Sequence, residues 1–227
     1  MSKEFWLIWK DPNTRRRYKI GILTIINDEY HFKYNEDEIG EAIDVGFDFF
    51  PGFVDIKQEY KSKELFANIS TRLPNSTRPD YLEVLETYGL NRKSTQTEIL
   101  EKTKGRLLTD EYEFVSAFNK EKIEFDVAGT RYCKDIDKCK KMLRVDERLQ
   151  LELEPENEYD RNAIRVIYTA QKGEKYKIGY VPRYYSEQLT EILKNNVEYV
   201  ATIQYLRFDT PLNDENISAK VELILKK

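Results

Sequence analysis

One run of this chain combines a strand pattern with a polar turn, and it reads Leu151-Glu-Leu-Glu-Pro-Glu-Asn-Glu-Tyr-Asp-Arg-Asn-Ala-Ile-Arg-Val166. Leu151 and Leu153 alternate with glutamates, which is typical of a strand with one buried face. Pro155 ends the alternation, and the Asn and Asp residues that follow are typical of a tight turn. Apolar residues resume at Ala163. The run therefore predicts two strands joined by a polar loop.

Short strands also surround this run. Alternating or apolar segments lie at 123–129, 149–154, 163–168, 176–181, 199–208 and 221–225. Ser186 is the expected N-cap of a helix that carries Leu189, Ile192 and Leu193 on one face. Five or six short strands with one or two helices predict a small OB- or SH3-like barrel over residues 120–227.

The first half mixes strands with helices. Strands are predicted at 5–10, 17–25, 30–34 and 112–118, with turns at 11–14 and 27–28. Helical spacing follows at 65–74 and 80–88, and Thr95-x-x-Glu98 is a capping box that predicts a helix start. We therefore expect an α+β chain. Its N-terminal domain, 1–119, has a small sheet with helices, and the linker lies at 119–122.

Charge and composition limit the function. The 227 residues are 34% charged with a mean hydropathy of -0.70. No apolar stretch approaches the ~20 residues that span a bilayer, and the N-terminus lacks a signal-peptide layout, so we expect a cytoplasmic location and no membrane partner. Residues 1–119 carry 17 basic against 21 acidic side chains, net -4, and residues 120–227 carry 20 against 20, net 0. A protein that coats long duplex DNA should be basic, so any nucleic-acid site must be local.

Residues for catalysis are scarce. The only histidine, His31, sits in an alternating strand and is expected to pack across it, and no phosphate-binding glycine loop is present. Cys133 and Cys139 have no second Cys or His pair with which to hold zinc, so we expect two reduced thiols. These absences predict no catalytic residue, no metal and no cofactor.

Two local alternatives stay open. Arg15-Arg16-Arg17 beside the first turn could be a phosphate or partner patch, or a solvated hairpin tip. Glu152, Glu154 and Asp160 could hold magnesium in a nuclease, although the leucine alternation places both glutamates on the solvent face.

A family resemblance comes from the run above together with Val127-Ala-Gly-Thr-Arg-Tyr132 and Lys177-Ile-Gly-Tyr-Val-Pro-Arg183. In this order the three segments resemble a HIRAN domain over about 100 residues. The resemblance implies an OB-like barrel that binds the 3′ end of single-stranded DNA. Tyr180 stands where some members have a different polar residue. Phe208 is a candidate for a further aromatic residue expected late in the domain.

Six residues are predicted for this site: Arg131, Tyr132, Tyr159, Asp160, Tyr180 and Arg183. All except Tyr180 match the family's end-binding motif. Tyr132 and Tyr159 would flank a terminal base, since stacking tolerates any sequence. Arg131 and Arg183 would hold phosphates. Asp160 would accept a hydrogen bond from a free 3′-OH and repel a 3′-phosphate. On turn chemistry alone, Asp160 and its neighbours could simply shape the loop.

A second resemblance covers the first half. Four segments are similar to the N-terminal subdomain of HipA-type serine/threonine kinases: 17–23, 30–34, 65–74 and 98–105. The kinase core is absent, so this resemblance implies a protein partner, such as a separate HipA-like kinase, and no phosphoryl transfer. The sequence thus predicts a non-catalytic adaptor that holds a DNA 3′ end. The alternative is an antitoxin-like regulatory subunit of such a kinase, without DNA binding.

Overall fold

The computed structural model describes residues 2–208 and 217–224, and the chain divides into two compact units, 1–117 and 118–227. Each unit contains one antiparallel sheet with helices, so the α+β prediction is confirmed. No helix in the described ranges is long and apolar enough to cross a membrane.

The N-terminal unit is built on a five-stranded sheet in the order β4-β3-β2-β1-β5. Its strands are β1 (Lys3–Lys10), β2 (Arg17–Ile26), β3 (Glu29–Tyr34), β4 (Tyr60–Ser62) and β5 (Tyr112–Ser116). The β2–β3 turn uses Asn27 and Asp28 at positive φ, 49° and 63°, as a tight two-residue hairpin requires. His31 pairs across the sheet with Thr24 and Lys61, in line with its expected strand position.

Four helices accompany this sheet: α1 (Glu36–Asp44), α2 (Ala67–Ser70), α3 (Tyr81–Thr87) and α4 (Gln96–Thr103). The capping box that opens α4 is confirmed, because Thr95 and Glu98 satisfy each other's backbone N–H groups. Helix α1 was not predicted. It buries only Ile39 and Ala42, too few apolar residues for a clear helical period.

The arginine run of the first hairpin is ion-paired within its own unit. Arg15 lies 3.0 Å from Glu111, Arg16 lies 2.5 Å from Glu41, and Arg17 lies 3.4 Å from Glu113. Burial opposes ionisation of Glu113, but the charges of Arg106, Lys104 and Arg17 outweigh it and hold its pKa well below the usual range. The run is therefore held in place by acidic partners.

The C-terminal unit has a six-stranded sheet in the order β6-β11-β10-β7-β8-β9. The strands are β6 (Lys122–Asp126), β7 (Arg148–Leu153), β8 (Ile164–Thr169), β9 (Lys175–Tyr180), β10 (Glu198–Leu206) and β11 (Ile217–Ile224). A single 3-10 turn at Thr130–Tyr132 and the short helix α5 (Ile136–Cys139) lead from β6 to β7, and α6 (Arg183–Lys194) follows β9. Cys133 and Cys139 are buried free thiols.

The two edges of this sheet meet. Just beyond β6, the Ala128 N–H donates to the Tyr180 carbonyl at 2.8 Å, and the Tyr180 N–H donates back to the Ala128 carbonyl at 2.9 Å. Because Tyr180 ends the opposite edge strand, this pair curls the sheet into a barrel, as predicted.

Gly179 makes that closure possible. A Cβ at this position would lie 2.5 Å from the Ala128 carbonyl oxygen and 2.5 Å from Val127 Cγ1, and φ is +149°. Only glycine lets the two backbones approach so closely.

Replacing Gly179 with alanine should therefore destabilise the C-terminal unit by about 2 kcal/mol, because a backbone atom must move. Urea unfolding followed by far-UV circular dichroism checks this, with fluorescence of Trp6 and Trp9 reporting on the N-terminal unit alone. We expect the dichroism transition to move to lower urea while the fluorescence transition stays.

Gly40→Ala is the matched control, since its Cβ would meet nothing within 4 Å. Gly40 lies inside α1, so alanine there should be neutral or slightly stabilising. A G179A protein as stable as G40A would contradict the closure argument.

One sequence expectation about α6 is wrong. Ser186 does not cap this helix, because the helix begins at Arg183 with Pro182 in the N-cap position. Ser186 lies in the first turn and is 1% exposed. Its hydroxyl is used elsewhere, in the loop described next.

Candidate nucleic-acid interface

Three segments meet at the barrel closure: 127–132, 154–163 and 180–183. The first segment contains Ala128 and the third begins with Tyr180, so the closing pair joins them. The Val181 N–H donates to the Ile164 carbonyl at 2.9 Å, which joins the third segment to the strand that follows the second. All six residues predicted for the site lie on these segments.

Arg131, Tyr132 and Tyr180 form one group, arranged around Gly129. Gly129 has φ +68°, and a Cβ there would lie 3.9 Å from Cδ2 of both Tyr132 and Tyr180. Arg131 Nη2 donates to the Tyr132 hydroxyl at 2.5 Å, and the guanidinium carbon lies 4.6 Å from the ring centroid. Tyr132 is 70% exposed, so a cation and an aromatic face are presented together to solvent.

Lys177 adds a second cation to this group. Its ammonium donates to the Tyr180 hydroxyl at 3.0 Å. This hydrogen bond raises the pKa of Lys177 despite partial burial, which keeps the side chain charged. Lys177 was not predicted for the site. In a regular strand, residues three apart point to opposite faces, and only the register shift in β9 brings Lys177 to the Tyr180 hydroxyl.

The β7–β8 loop is organised by Asn157. Its Oδ1 accepts the N–H groups of Tyr159 at 3.0 Å and Asp160 at 3.1 Å, and its Nδ2 donates to Glu154 Oε2 at 2.8 Å. The turn-forming role considered for this loop is therefore real. It also leaves the Tyr159 side chain 89% exposed, at the tip of a fixed backbone.

Asp160 is half-buried and held by a donor on each oxygen. Oδ1 accepts the Asn162 N–H at 2.9 Å, and Oδ2 accepts the Ser186 hydroxyl at 2.8 Å. The same hydroxyl lies 2.9 Å from the Arg183 carbonyl, so Ser186 joins Asp160 to the start of α6. A carboxylate has about four acceptor positions, so Asp160 retains capacity for another donor.

Glu154 connects the two groups. Its burial favours the protonated acid, but hydrogen bonds from Asn157 and then Tyr180 outweigh this and lower its pKa. A polar chain therefore runs from Tyr180 through Glu154 and Asn157 to Asp160. The structure brings Arg131, Tyr132 and Tyr180 together and links Asp160 to Arg183, whereas the Tyr159 ring points into solvent.

The carboxylates considered as magnesium ligands bind protein groups instead. Glu152 lies 3.4 Å from Arg165 and 3.5 Å from Lys175, so it faces cations. Within residues 2–208 and 217–224, no cluster of three His, Cys, Asp or Glu side chains is placed to hold a metal. Phe208, the candidate for the aromatic residue expected late in the domain, is half-buried just after β10.

These segments can be compared with known proteins. Residues 120–225 match the family model of the HIRAN domain. The resemblance inferred for the second half is thereby confirmed. A HIRAN domain is a DNA-binding module, so the match implies that this unit binds DNA. No finding supports the HipA-type resemblance of residues 1–119, which stays a prediction.

Two solved structures are similar in part. The HIRAN domain of human HLTF is 19% identical, and the match covers 45% of this chain and 74% of that one, with a TM-score of 0.35. A protein from Lactobacillus plantarum is 27% identical over 44% of this chain and 96% of its own, with a TM-score of 0.34. At these TM-scores neither bears on the argument. No curated protein matches the chain.

Ser186→Ala should destabilise the C-terminal unit by about 2 kcal/mol, because it removes a hydrogen bond to a half-buried charge. The measurement is urea unfolding followed by far-UV circular dichroism. Thr190→Val is the matched comparison, since the Thr190 hydroxyl donates to the Asn162 carbonyl of the same loop at 3.0 Å. That neutral hydrogen bond should be worth only about 1 kcal/mol. An S186A loss no larger than that of T190V would show that Asp160 does not depend on Ser186.

Proposed function

We propose that this protein is a non-catalytic adaptor whose HIRAN domain holds the free 3′-OH end of single-stranded DNA while its N-terminal unit docks a protein. The environment of Asp160 is the observation that supports binding of the DNA 3′ end. This anion stands among the three segments of the candidate interface, with both of its oxygens oriented by donors from the protein.

A carboxylate at a DNA site needs a physical reason, because it repels phosphates. Asp160 is held by Asn162 and Ser186, so its remaining acceptor positions have a fixed direction. A terminal hydroxyl is the one group of a DNA end that can donate a hydrogen bond to it from the sugar. A 3′-phosphate at the same place would meet the negative charge. The arrangement therefore favours an unmodified 3′ end.

The rest of the site suits the terminal nucleotides. Tyr132 and Tyr159 present exposed rings, 70% and 89% accessible, on which bases can stack without sequence preference. Arg131 and Arg183 flank the loop that carries Asp160 and supply charge-assisted hydrogen bonds for phosphates. Tyr180 supports this surface beside Tyr132.

Titration of fluorescent oligonucleotides tests the end-reading mechanism. The wild type should bind a 3′-OH strand at least about tenfold more tightly than a 3′-phosphate strand or a blocked duplex end, a difference of ~1.4 kcal/mol. Asp160→Asn should bring the 3′-OH and 3′-phosphate affinities close together, since the repelling charge is lost. Tyr159→Ala should weaken both by about 5- to 160-fold, because stacking contributes ~1–3 kcal/mol per base.

Glu158→Gln is the control for Asp160→Asn, because it removes one negative charge two residues away on the same loop. It should leave the 3′-OH preference intact. Equal wild-type affinity for all three ends would refute end reading, and a preference lost equally in both variants would assign it to general charge.

For the N-terminal unit we propose docking to a HipA-like kinase core in a separate chain. Support comes from its net charge of -4 over residues 1–119 and from apolar side chains that it leaves in solvent. Leu108 is 81% exposed and Val54 is 68% exposed. Leu107, next to Leu108 in the chain, is 39% exposed, so two neighbouring apolar side chains are available to a partner.

Affinity purification from native cells checks the docking proposal by quantifying any co-purified kinase core. Leu108→Asp should reduce recovery about tenfold, since a buried interface anchor is worth more than ~1 kcal/mol. Thr109→Asp, an equal charge at the next exposed position, should reduce it less. Recovery of the kinase core without any DNA binding would instead identify an antitoxin-like subunit, and recovery of no kinase core would refute the proposed partner.

A further inference from the structure

Positive charge in the C-terminal unit is concentrated in one place. Residues 131–144, here called the basic segment, contain six Lys and Arg against two Asp, net +4. Residues 120–227 as a whole have 20 basic and 20 acidic side chains, so everything outside the basic segment is net -4. The segment starts at Arg131 and Tyr132, which belong to the candidate interface.

The basic segment runs beside β9 rather than away from the barrel. Turns carry the chain from the interface, with the Cys133 N–H donating to the Thr130 carbonyl at 3.0 Å and the Ile136 N–H to the Cys133 carbonyl at 3.1 Å. Cys133 and Cys139 are buried and anchor the segment. Helix α5 packs against β9 as a result.

Strand β9 carries two tyrosines and Lys177. Tyr176 and Lys177 are consecutive, so their side chains leave opposite faces of the strand. Lys177 bonds to Tyr180 at the interface end, and Tyr176 lies four residues earlier near the start of the strand. Burial raises the pKa of the Tyr176 hydroxyl, and Glu174, which accepts a hydrogen bond from it at 3.2 Å, raises it further. Helix α5 contacts this strand. From Tyr180 to Tyr176 the strand spans about 13 Å at ~3.3 Å per residue.

The lysines of the basic segment are accessible. Lys134 and Lys141 are exposed. Lys138 and Lys140 pair with Asp135 and Asp137 at 2.8 and 2.6 Å, but their side chains are 73% and 40% accessible. Exposed pairs of this kind are worth only ~0–1 kcal/mol, so an incoming phosphate can compete for these ammonium groups.

We infer that the basic segment binds the phosphates of the nucleotides that precede the terminal one, so that the DNA footprint continues from the 3′-end site along β9. This inference rests on the proposed function and names a second contact region for the same ligand. A basic track that leads to an exposed aromatic ring such as Tyr132 suits a single strand, and a site of ~4–16 nucleotides is normal for one OB-type fold.

Salt dependence of binding measures the number of phosphates held. For single strands the slope of log K against log salt is about -0.7 per phosphate neutralised. Anisotropy titrations with 3′-OH oligothymidylates of two and about ten residues, between roughly 50 and 200 mM KCl, should give tighter binding and a steeper slope for the longer strand.

The double variant Lys134→Gln with Lys138→Gln should flatten the slope for the ten-residue strand by about 1.4. Over a fourfold salt range this is roughly a sevenfold smaller loss of affinity. The two-residue strand should be bound as by the wild type, because it does not reach Lys134 and Lys138.

Lys122→Gln with Lys194→Gln is the matched control. It removes the same charge from the same unit, and Lys122 forms an exposed pair with Glu124 just as Lys138 does with Asp135. Lys122 begins β6 and Lys194 ends α6, so neither belongs to the basic segment. This control should keep the wild-type slope.

The outcomes separate the two proposals. Equal slopes for the wild type and both double variants would overturn the basic segment as a phosphate site, even with the 3′-OH preference intact. A slope that flattens only in the basic-segment variant supports the inference. If that happens without any 3′-OH preference, end reading fails and the phosphate track stands.

Discussion

The pairing of Ala128 with Tyr180 is the contact on which the candidate interface depends. It closes a six-stranded antiparallel sheet, and it does so beside Gly179, where any side chain would strike the opposite backbone. The closure also brings together segments that lie some fifty residues apart in sequence. Tyr132 and Tyr180 become neighbours only because the two edges meet. Gly179 thus permits the closure, and the closure positions the side chains of the candidate interface.

The polar side chains of the interface are held by the protein before any ligand arrives. Asn157 fixes the loop backbone, Glu154 joins that loop to Tyr180, and Ser186 orients Asp160 from the first turn of α6. Because these groups are already oriented, less conformational entropy is lost when a ligand binds. Tyr159 differs, since its backbone is fixed but its ring is free to meet a base.

Local patterns predicted much of the fold from sequence. The hairpin turn at Asn27-Asp28 and the capping box at Thr95 follow from neighbours within a few residues, where chemistry alone selects the backbone. Helix α1 escaped because it buries just two side chains. Among the residues of the interface, Arg131, Tyr132, Tyr159, Asp160, Tyr180 and Arg183 were predicted through resemblance. Lys177, Glu154 and the true role of Ser186 were missed. A register shift in β9 places Lys177 beside Tyr180, strand pairing brings Glu154 to Tyr180, and helix docking brings Ser186 to Asp160, and no local sequence pattern predicts these contacts.

Closure by two backbone hydrogen bonds has a consequence for the energetics of the barrel. The seam between β6 and β9 is short, and elements joined by few hydrogen bonds are where native proteins open first. A DNA 3′ end that contacts Tyr132 on one side of this closure and Asp160 on the other would stabilise the closed barrel. Ligand present at a hundred times its Kd would add ~2.7 kcal/mol to the closed form. DNA binding and barrel opening would then be linked, so that each lowers the equilibrium population of the other.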